Sequence, residues 1–201
     1  MKRLLPAPLV VLLFLVTGNL PLSAQATELT YDHHVAGDRS LTIQLGPMFP
    51  LAFQTWGWKT APTNLTIGGT LGVDLDFYLN DNLRLGAGLG GMASTGPNNF
   101  TLFLVPITLR ATWEFKIYPF SFPVGLGAGF SFTNYQTSTS FDPILIPTAG
   151  AYWNVTPSWS FGLDASPWIL FQSYLPGGSI PASDSRIAYF ADVTLGAIYH
   201  F

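Results

Sequence analysis

The chain has 201 residues, of which 48% are hydrophobic, 15% aromatic and only 9% charged, with a formal net charge of −3 and no cysteine. An ordinary soluble domain carries about 25% charged residues, so this composition argues against a fold that is covered only by water. The small net charge argues against a nucleic-acid partner, and the absence of cysteine excludes disulfides and thiolate metal sites.

The first predicted element is a secretory signal peptide over residues 1–26. A short basic region, Lys2-Arg3, precedes an apolar stretch at residues 9–16, and the small-residue motif Ala24-Gln25-Ala26 follows. This order is typical of a cleavable signal, and the apolar stretch is too short to cross a bilayer of about 30 Å as a helix. The polar residues 27–39 are then predicted to form a short periplasmic tail.

From residue 40 onward, apolar residues alternate with small or polar residues, which is the period of a β-strand with two different faces. Eight such segments are predicted, and each is long enough to cross a membrane as a tilted strand, which needs about 9–11 residues. They cover residues 40–53, 64–80, 83–95, 100–115, 123–135, 143–154, 158–172 and 186–201.

After the signal, no apolar run reaches the length of about 18 residues that a transmembrane helix needs. Because only helices and closed barrels satisfy every backbone polar group in hydrocarbon, the sequence predicts an all-β fold. We expect an eight-stranded antiparallel up-and-down transmembrane β-barrel over residues 40–201. Its apolar positions should face lipid and its small or polar positions the lumen, whereas a soluble barrel would show the inverse pattern.

The connectors are predicted to alternate in length along the chain. Tight turns are predicted at residues 79–82 and 154–157, and the connector at residues 116–123 is modest. The connectors between them are longer and cover residues 54–63, 96–99, 136–142 and 173–185. Short periplasmic turns and longer external loops are typical of outer-membrane barrels, so both termini are predicted to lie in the periplasm. The connector at 96–99 is short for an external loop.

Aromatic residues are predicted to gather at the strand ends, as in the two girdles that mark lipid interfaces. The predicted periplasmic girdle consists of Phe77, Tyr78, Trp113, Phe115, Tyr118, Phe120, Phe122, Trp153, Trp159, Tyr199 and Phe201. The predicted outer girdle consists of Phe49, Phe53, Trp56, Trp58, Phe100, Tyr135, Phe171 and Tyr174.

The last segment has an unbroken apolar face at its odd positions and ends in Tyr199 and Phe201. This ending resembles the closing strand of bacterial outer-membrane barrels. The strand-turn-strand stretch of residues 73–86, and Tyr118-Pro119-Phe120 followed by the glycine stripe of residues 125–129, are similar to small eight-stranded barrels of the OmpA, OmpX and OmpW type. The similarity is greatest to OmpW-like chains.

The resemblance implies an integral protein of the cell outer membrane that is surrounded by outer-membrane lipid. It also implies that Tyr199 and Phe201 form an insertion signal read by the barrel-assembly machinery, with periplasmic chaperones as further partners. The oligomeric state does not follow from the sequence.

The predicted lumen holds charged residues, which at membrane depth must be paired or hydrated. The candidate network is Asp74, Asp76, Arg84, Arg110, Glu114, Asp164 and Asp192. Arg110 is predicted to lie where Asp74 and Asp164 can approach it. An eight-stranded barrel is just wide enough for its side chains to fill, so two interpretations stay open: a structural plug of salt bridges, or a gated and narrow polar path.

Other patterns favour neither a cofactor nor catalysis. Residues 86–91 fit the spacing of a dinucleotide fingerprint, but a strand rather than a helix follows them, which favours a lumen-facing glycine stripe. His33 and His34 are interpreted as an adventitious pair rather than a metal site. His200 is predicted to face the lumen near its periplasmic mouth, where a pH-sensitive plug is one interpretation. No histidine lies near a predicted external end, so an enzyme acting on lipids there is not predicted.

Two functions therefore stay open. The first is a barrel that allows limited passage of small or amphipathic solutes, and the OmpW-like resemblance implies a greasy external funnel. Residues suited to that funnel are Trp56, Trp58, Met48, Trp168 and Leu170. The second is a structural or surface-interaction, adhesin-like barrel with a sealed lumen. A continuous water path would favour the first function, and a dry, fully bridged lumen would favour the second.

Overall fold

The computed structural model describes residues 34–55, 58–135, 138–172 and 185–201, and eight long strands account for most of them. They are β1 (Arg39–Thr55), β2 (Gly68–Tyr78), β3 (Leu83–Thr95), β4 (Thr101–Ile117), β5 (Phe120–Tyr135), β6 (Ser138–Thr156), β7 (Trp159–Gln172) and β8 (Arg186–His200). Each strand is antiparallel to the next one along the chain, and β1 also pairs with β8, so the sheet closes on itself. The predicted all-β, eight-stranded antiparallel barrel is confirmed.

Several predictions fall outside the described residues. The chain divides into residues 1–30 and residues 31–201, and the described part belongs to the second unit. The predicted signal peptide at 1–26 therefore lies outside the described residues, as do His33, Trp56 and most of the predicted loop at 173–185.

Two short elements accompany the barrel strands in the described part of the chain. Thr60–Ala61 pairs with the end of β1 as a two-residue strand, and Pro97–Asn99 forms a single 3₁₀ turn. No helix within the four described ranges is long and apolar enough to cross a membrane.

The two ends of the barrel differ in how the strands are joined. At one end, here called the turn end, the connectors are residues 79–82, 118–119 and 157–158. The first of these turns is held by Asn80, whose Oδ1 accepts backbone N–H bonds from Asn82 at 2.9 Å and Leu83 at 2.8 Å, as expected of an asparagine turn. The opposite end, here called the loop end, carries the connectors between β1 and β2, β3 and β4, β5 and β6, and β7 and β8.

The modest connector predicted over residues 116–123 is a tight hairpin instead. Ile117 pairs with Phe120 across a turn of only two residues, and Lys116 pairs with Ser121. The strands extend this far because outward-facing residues continue on both sides of the turn, where Ile117 and Phe120 are exposed on the wall.

The loop predicted over residues 136–142 is also shorter than expected, since β6 begins at Ser138. Phe141 explains the difference. Its ring stacks on Phe130 with centroids 4.8 Å apart and packs against Phe132 at 4.7 Å, so the outer aromatic surface continues past the predicted strand start. In contrast, β2 begins at Gly68 rather than at residue 64.

The alternation of the strands divides the wall into a lipid-facing surface and a lumen-facing surface. On β8, Val193 is 44% exposed and Leu195 is 71% exposed, whereas Thr194 between them is only 2% exposed. Since the same period runs through the other strands, nearly every large exposed hydrophobic side chain lies on one face of the sheet. The exterior is apolar and the interior holds the polar groups, as expected of a membrane barrel.

A β-bulge in β1 changes this phase near the loop end. The register against β8 shifts between Pro50 and Ala52, which adds one residue on the β1 side. As a result Phe53 packs against buried residues of the lumen, and the guanidinium of Arg186 lies 4.0 Å from its ring centroid. The prediction that Phe53 belongs to the outer aromatic girdle is therefore wrong. Tyr78, which was assigned to the periplasmic girdle, is likewise buried in the lumen.

Candidate functional site

The lumen contains two layers of different chemistry. The charged cluster fills the half near the turn end and consists of Asp74, Asp76, Tyr78, Arg84, Arg110, Glu114, Tyr152 and Asp164. The apolar cluster fills the half near the loop end and consists of Met48, Met92, Leu102, Leu104, Ile144, Trp168, Leu170, Ala188 and Phe190. Six of the seven residues of the predicted charge network lie in the charged cluster, and Asp192 lies at its border with the apolar cluster.

Arg110 and Asp74 form an ion pair that passes over a glycine. Arg110 is on β4 and Asp74 on β2, and β3 runs between them. A Cβ atom on Gly88 of β3 would lie 2.3 Å from Asp74 Oδ1 and 3.3 Å from Arg110 Cδ. The glycine is therefore required for the two side chains to meet, and it belongs to the predicted lumen-facing glycine stripe. Arg110 Nη2 also donates to Thr148 Oγ1 at 3.5 Å.

A second group of charged residues lies closer to the turn end. Arg84 Nε lies 3.4 Å from Asp76 Oδ2, and both side chains are almost fully buried. Arg84 Nη1 donates to Tyr78 Oη at 3.4 Å, and Tyr78 Oη donates to Glu114 Oε2 at 3.2 Å. These contacts join β2, β3 and β4, so the buried carboxylates have cationic or hydroxyl partners across strands.

Asp164 is held by a different set of residues from the one predicted. Tyr152 Oη donates to Asp164 Oδ2, and Gln44 Nε2 donates to the same oxygen at 3.3 Å. The Tyr152 ring lies over a glycine of β8, because a Cβ on Gly196 would be 2.1 Å from Tyr152 Oη. The structure thus places Arg110 against Asp74, as predicted, but gives Asp164 a tyrosine and an amide as hydrogen-bond partners.

Asp192 connects the two layers. Trp168 Nε1, from the apolar cluster, donates to Asp192 Oδ2 at 3.0 Å. Asp192 Oδ1 and the nearby Thr194 Oγ1 are buried and have no hydrogen-bond partner among the described residues. Both residues line a cavity of about 40 Å³ that lies between the layers and also borders Gln44, Asp74 and Arg110.

The apolar cluster was largely missed by the sequence reasoning. Its members come from β1, β3, β4, β6, β7 and β8, and Met48 and Leu104 have no exposed surface. Met48, Trp168 and Leu170 were predicted to suit a greasy external funnel, but their side chains are buried in the apolar cluster inside the lumen. The available signal was a set of apolar residues on the inward phase of these six strands, in the loop-end half of each.

At the turn end, His34 covers the mouth of the lumen. Its ring stacks on Tyr78 with centroids 4.0 Å apart and on His200 at 4.8 Å, and its backbone N–H donates to Asp81 Oδ1 at 2.9 Å. His200 Nε2 lies 3.1 Å from Ser160 Oγ. The sequence analysis interpreted His34 only as half of an adventitious pair with His33, and it did not predict this stacking on Tyr78 and His200. Within the described ranges, no three His, Asp or Glu side chains are arranged to hold a metal ion.

A closed sheet with an apolar exterior and a polar or tightly packed lumen defines a membrane β-barrel protein of the small eight-stranded class. A protein-family model matches residues 22–199, and the chain belongs to the family that this model represents.

Two relatives are similar in sequence. An uncharacterized protein of Treponema pallidum is 28% identical over 138 residues, which cover 67% of this chain and 59% of that protein. An uncharacterized protein of Borreliella burgdorferi is 26% identical over 209 residues, which cover 93% of this chain and 92% of that protein. The matched region thus spans little more than half of the Treponema protein.

Two solved structures share the fold. Neisserial surface protein A aligns with a TM-score of 0.57 and 15% identity, covering 81% of this chain and 97% of that chain. The outer membrane protein OprG from Pseudomonas aeruginosa aligns with a TM-score of 0.53 and 12% identity, covering 85% and 98% respectively. The resemblance to small eight-stranded outer-membrane barrels is confirmed, and the closer similarity to OmpW-like chains stays a prediction.

Proposed function

We propose that this protein is an outer-membrane barrel whose lumen is sealed and whose role is structural or is exerted through its external surface. The observation that carries the proposal is the apolar cluster, because side chains from six of the eight strands meet in it across the lumen. A packed apolar layer leaves water no polar partners along the path. Of the two functions that the sequence left open, this packing supports the barrel with the sealed lumen.

The charged cluster supports the same proposal from the other half of the lumen. Arg84 with Asp76 and Arg110 with Asp74 form buried ion pairs that join neighbouring strands. Breaking a buried pair is costly, so these contacts favour a lumen that stays filled. Both described histidines, His34 and His200, lie at the turn end, and the proposal includes no catalytic role.

The proposed orientation places the turn end in the periplasm and the loop end outside the cell. Short periplasmic turns and longer external connectors are the usual arrangement in such barrels. Arg39 and His200 both lie at the turn end, so the proposal places both ends of the barrel segment in the periplasm. Tyr199 and Phe201 are exposed, with ring centroids 5.7 Å apart, and are proposed as the insertion signal for the assembly machinery.

Limited passage of small solutes is the second candidate function. The observation in its favour is that the apolar cluster contains two methionines, Met48 and Met92. Methionine side chains are unbranched and adaptable, so a layer that contains them can rearrange more readily than one of branched residues. Transient opening of this layer would connect the loop end with the polar cavity below it.

Planar-bilayer recording of the purified protein separates the two functions. A sealed lumen predicts no channel events with the wild-type protein, and frequent events only when both halves are opened, by combining Met48→Ala and Leu104→Ala in the apolar cluster with Arg110→Ala in the charged cluster. The matched control is the lipid-facing substitution Leu109→Ala on β4, which leaves the lumen unchanged. Brief, small events in the wild-type protein would support limited passage, and a large stable conductance would contradict the sealed lumen.

A further inference from the structure

The cavity between the two layers has the features of a small binding site. Its volume of about 40 Å³ exceeds the space that one water molecule needs, about 10–15 Å³ by the same measure. It is therefore large enough for a single small ion with one or two water molecules, and too small for an organic solute.

The lining of the cavity supplies oxygen atoms that lack partners. Asp192 is 5% exposed and Thr194 is 2% exposed, and Asp192 Oδ1 and Thr194 Oγ1 have no hydrogen-bond partner among the described residues. Both residues point into the lumen from β8 and border the cavity. A buried carboxylate oxygen without a donor or cation is costly, so a ligand that compensates its charge would be bound favourably.

A third polar side chain borders the cavity from β1. Gln44 borders the same cavity and uses its Nε2 to donate to Asp164. Its Oε1 lies 3.5 Å from the position that a Cβ on Gly72 would take, and Gly72 also borders the cavity. Carboxylate, amide and hydroxyl oxygens are the ligands that hard cations prefer.

The charges around the cavity favour a cation with a single charge. Arg110 also borders the cavity, but it is paired with Asp74, so these two charges offset each other. Asp192 Oδ2 accepts a hydrogen bond from Trp168 Nε1, and Ser166 also interacts with this carboxyl group, but neither residue carries a positive charge and no described cation forms an ion pair with Asp192. One uncompensated carboxylate matches one positive charge.

We propose that the cavity binds a small monovalent metal cation of the sodium class, held by Asp192, Thr194 and Gln44. The ion would occupy the border between the two layers, where it links β1 to β8 at the seam that closes the barrel. Because the site would join the first and last strands, its role is to stabilise the closed barrel and does not depend on conduction.

Sodium-23 NMR of the purified protein in detergent micelles tests the proposal. We expect a broadening of the sodium line that saturates with protein sites and is competed by lithium or potassium, but not by choline. Asp192→Asn should abolish the broadening. Asp81→Asn is the matched control, since Asp81 lies in the turn between β2 and β3, and it should leave the broadening unchanged.

Thermal unfolding provides a second measurement at constant ionic strength. Replacing choline chloride with sodium chloride should raise the Tm of the wild-type protein by about 2–4 °C. This shift is expected for a chain of this size if bound sodium raises the ratio of folded to unfolded protein about fivefold. Thr194→Val is a milder variant that should fold and should weaken the sodium dependence.

The opposite results would overturn the proposal. These are no saturable broadening with the wild-type protein, equal broadening with Asp192→Asn, or a Tm that does not distinguish sodium from choline. A higher Tm of Asp192→Asn in every salt would show that Asp192 is buried as the neutral acid. None of these results depends on channel recording, so the cation site can fail while the sealed lumen stands.

Discussion

The two halves of the lumen are formed by the same strands with the same inward phase, yet they are filled in different ways. The half near the turn end is filled by ion pairs and tyrosine hydroxyls, and glycines make the space for them. The half near the loop end is filled by apolar side chains, and Trp168 is the one member of this cluster whose side chain donates a hydrogen bond. The alternation of the strands thus decides which residues face inward, and the chemistry of each inward position decides how the lumen is closed.

The glycines show how the charged half depends on its neighbours. Gly86 and Gly88 lie between the acids of β2 and the arginine of β4, and a Cβ on either would be within 2.3 Å of a carboxylate oxygen. Long polar side chains can cross a neighbouring strand only where that strand has no side chain. The apolar half needs no such gaps, because its residues pack directly across the lumen.

Removing the central cation of the charged half should have the largest effect. We expect Arg110→Ala to cost about 3–5 kcal/mol of unfolding free energy, because Asp74 is then buried without its partner. Urea titration in lipid vesicles measures this loss. The control is Lys116→Ala, whose ion pair with Asp81 at 2.7 Å is at the turn end, where Asp81 is 32% exposed. Equal losses of unfolding free energy for the two variants would mean that Asp74 is hydrated, which would contradict a charged half closed by buried ion pairs.

Truncation in the apolar half should cost somewhat less and should also affect permeability. We expect Leu104→Ala to lower the free energy of unfolding by about 2–5 kcal/mol. The substitution removes buried apolar groups and leaves a cavity that the surrounding strands cannot relax to fill. The same titration with Leu109→Ala is the control, because Leu109 is 75% exposed on the same strand and lipid fills the space it leaves. Equal losses for the two leucines would mean that the loop half of the lumen is not packed.

A charge placed on the outer wall tests whether the exterior, like the lumen, differs between the middle of the barrel and its ends. We expect Leu195→Arg to cost about 2–4 kcal/mol, as for arginine facing lipid near the bilayer midplane. Leu79→Arg, in the turn after β2, should cost only about 0–1 kcal/mol because it lies near the interface. Vesicle unfolding of both variants gives the depth dependence. A small loss for Leu195→Arg would show that this part of β8 does not face the bilayer centre.

Much of the barrel could be predicted because its outward positions are apolar with few exceptions. The period of two predicted all eight strands, although it was weakest in the sixth, and the outward face of the last strand was identified correctly, as Val193 and Leu195 show. Strand ends were less certain. The hairpin at Tyr118-Pro119 needs pairing across the turn to be recognised, and the bulge after Pro50 reverses the side that Phe53 faces without any signal in the local pattern.

The lumen was predicted only in part, because its contacts depend on register and on free space. Opposite charge and similar depth were enough to pair Arg110 with Asp74. Charge and depth did not predict that Tyr152 rather than Arg110 would contact Asp164, because that hydrogen bond requires the space that Gly196 leaves for the tyrosine ring. The apolar cluster was missed because six strands contribute only one or two inward members each, and only the closed sheet brings them together.

The ion pair that crosses Gly88 has a consequence for how this sequence can evolve. Asp74, Gly88 and Arg110 come from three adjacent strands. The ion pair is lost if Asp74 or Arg110 becomes uncharged, and it is blocked if Gly88 acquires a side chain. Lipid-facing positions such as Leu89 can exchange one apolar residue for another independently. We therefore expect the exterior of the barrel to drift freely among descendants of this gene, while these three lumen positions change together or not at all.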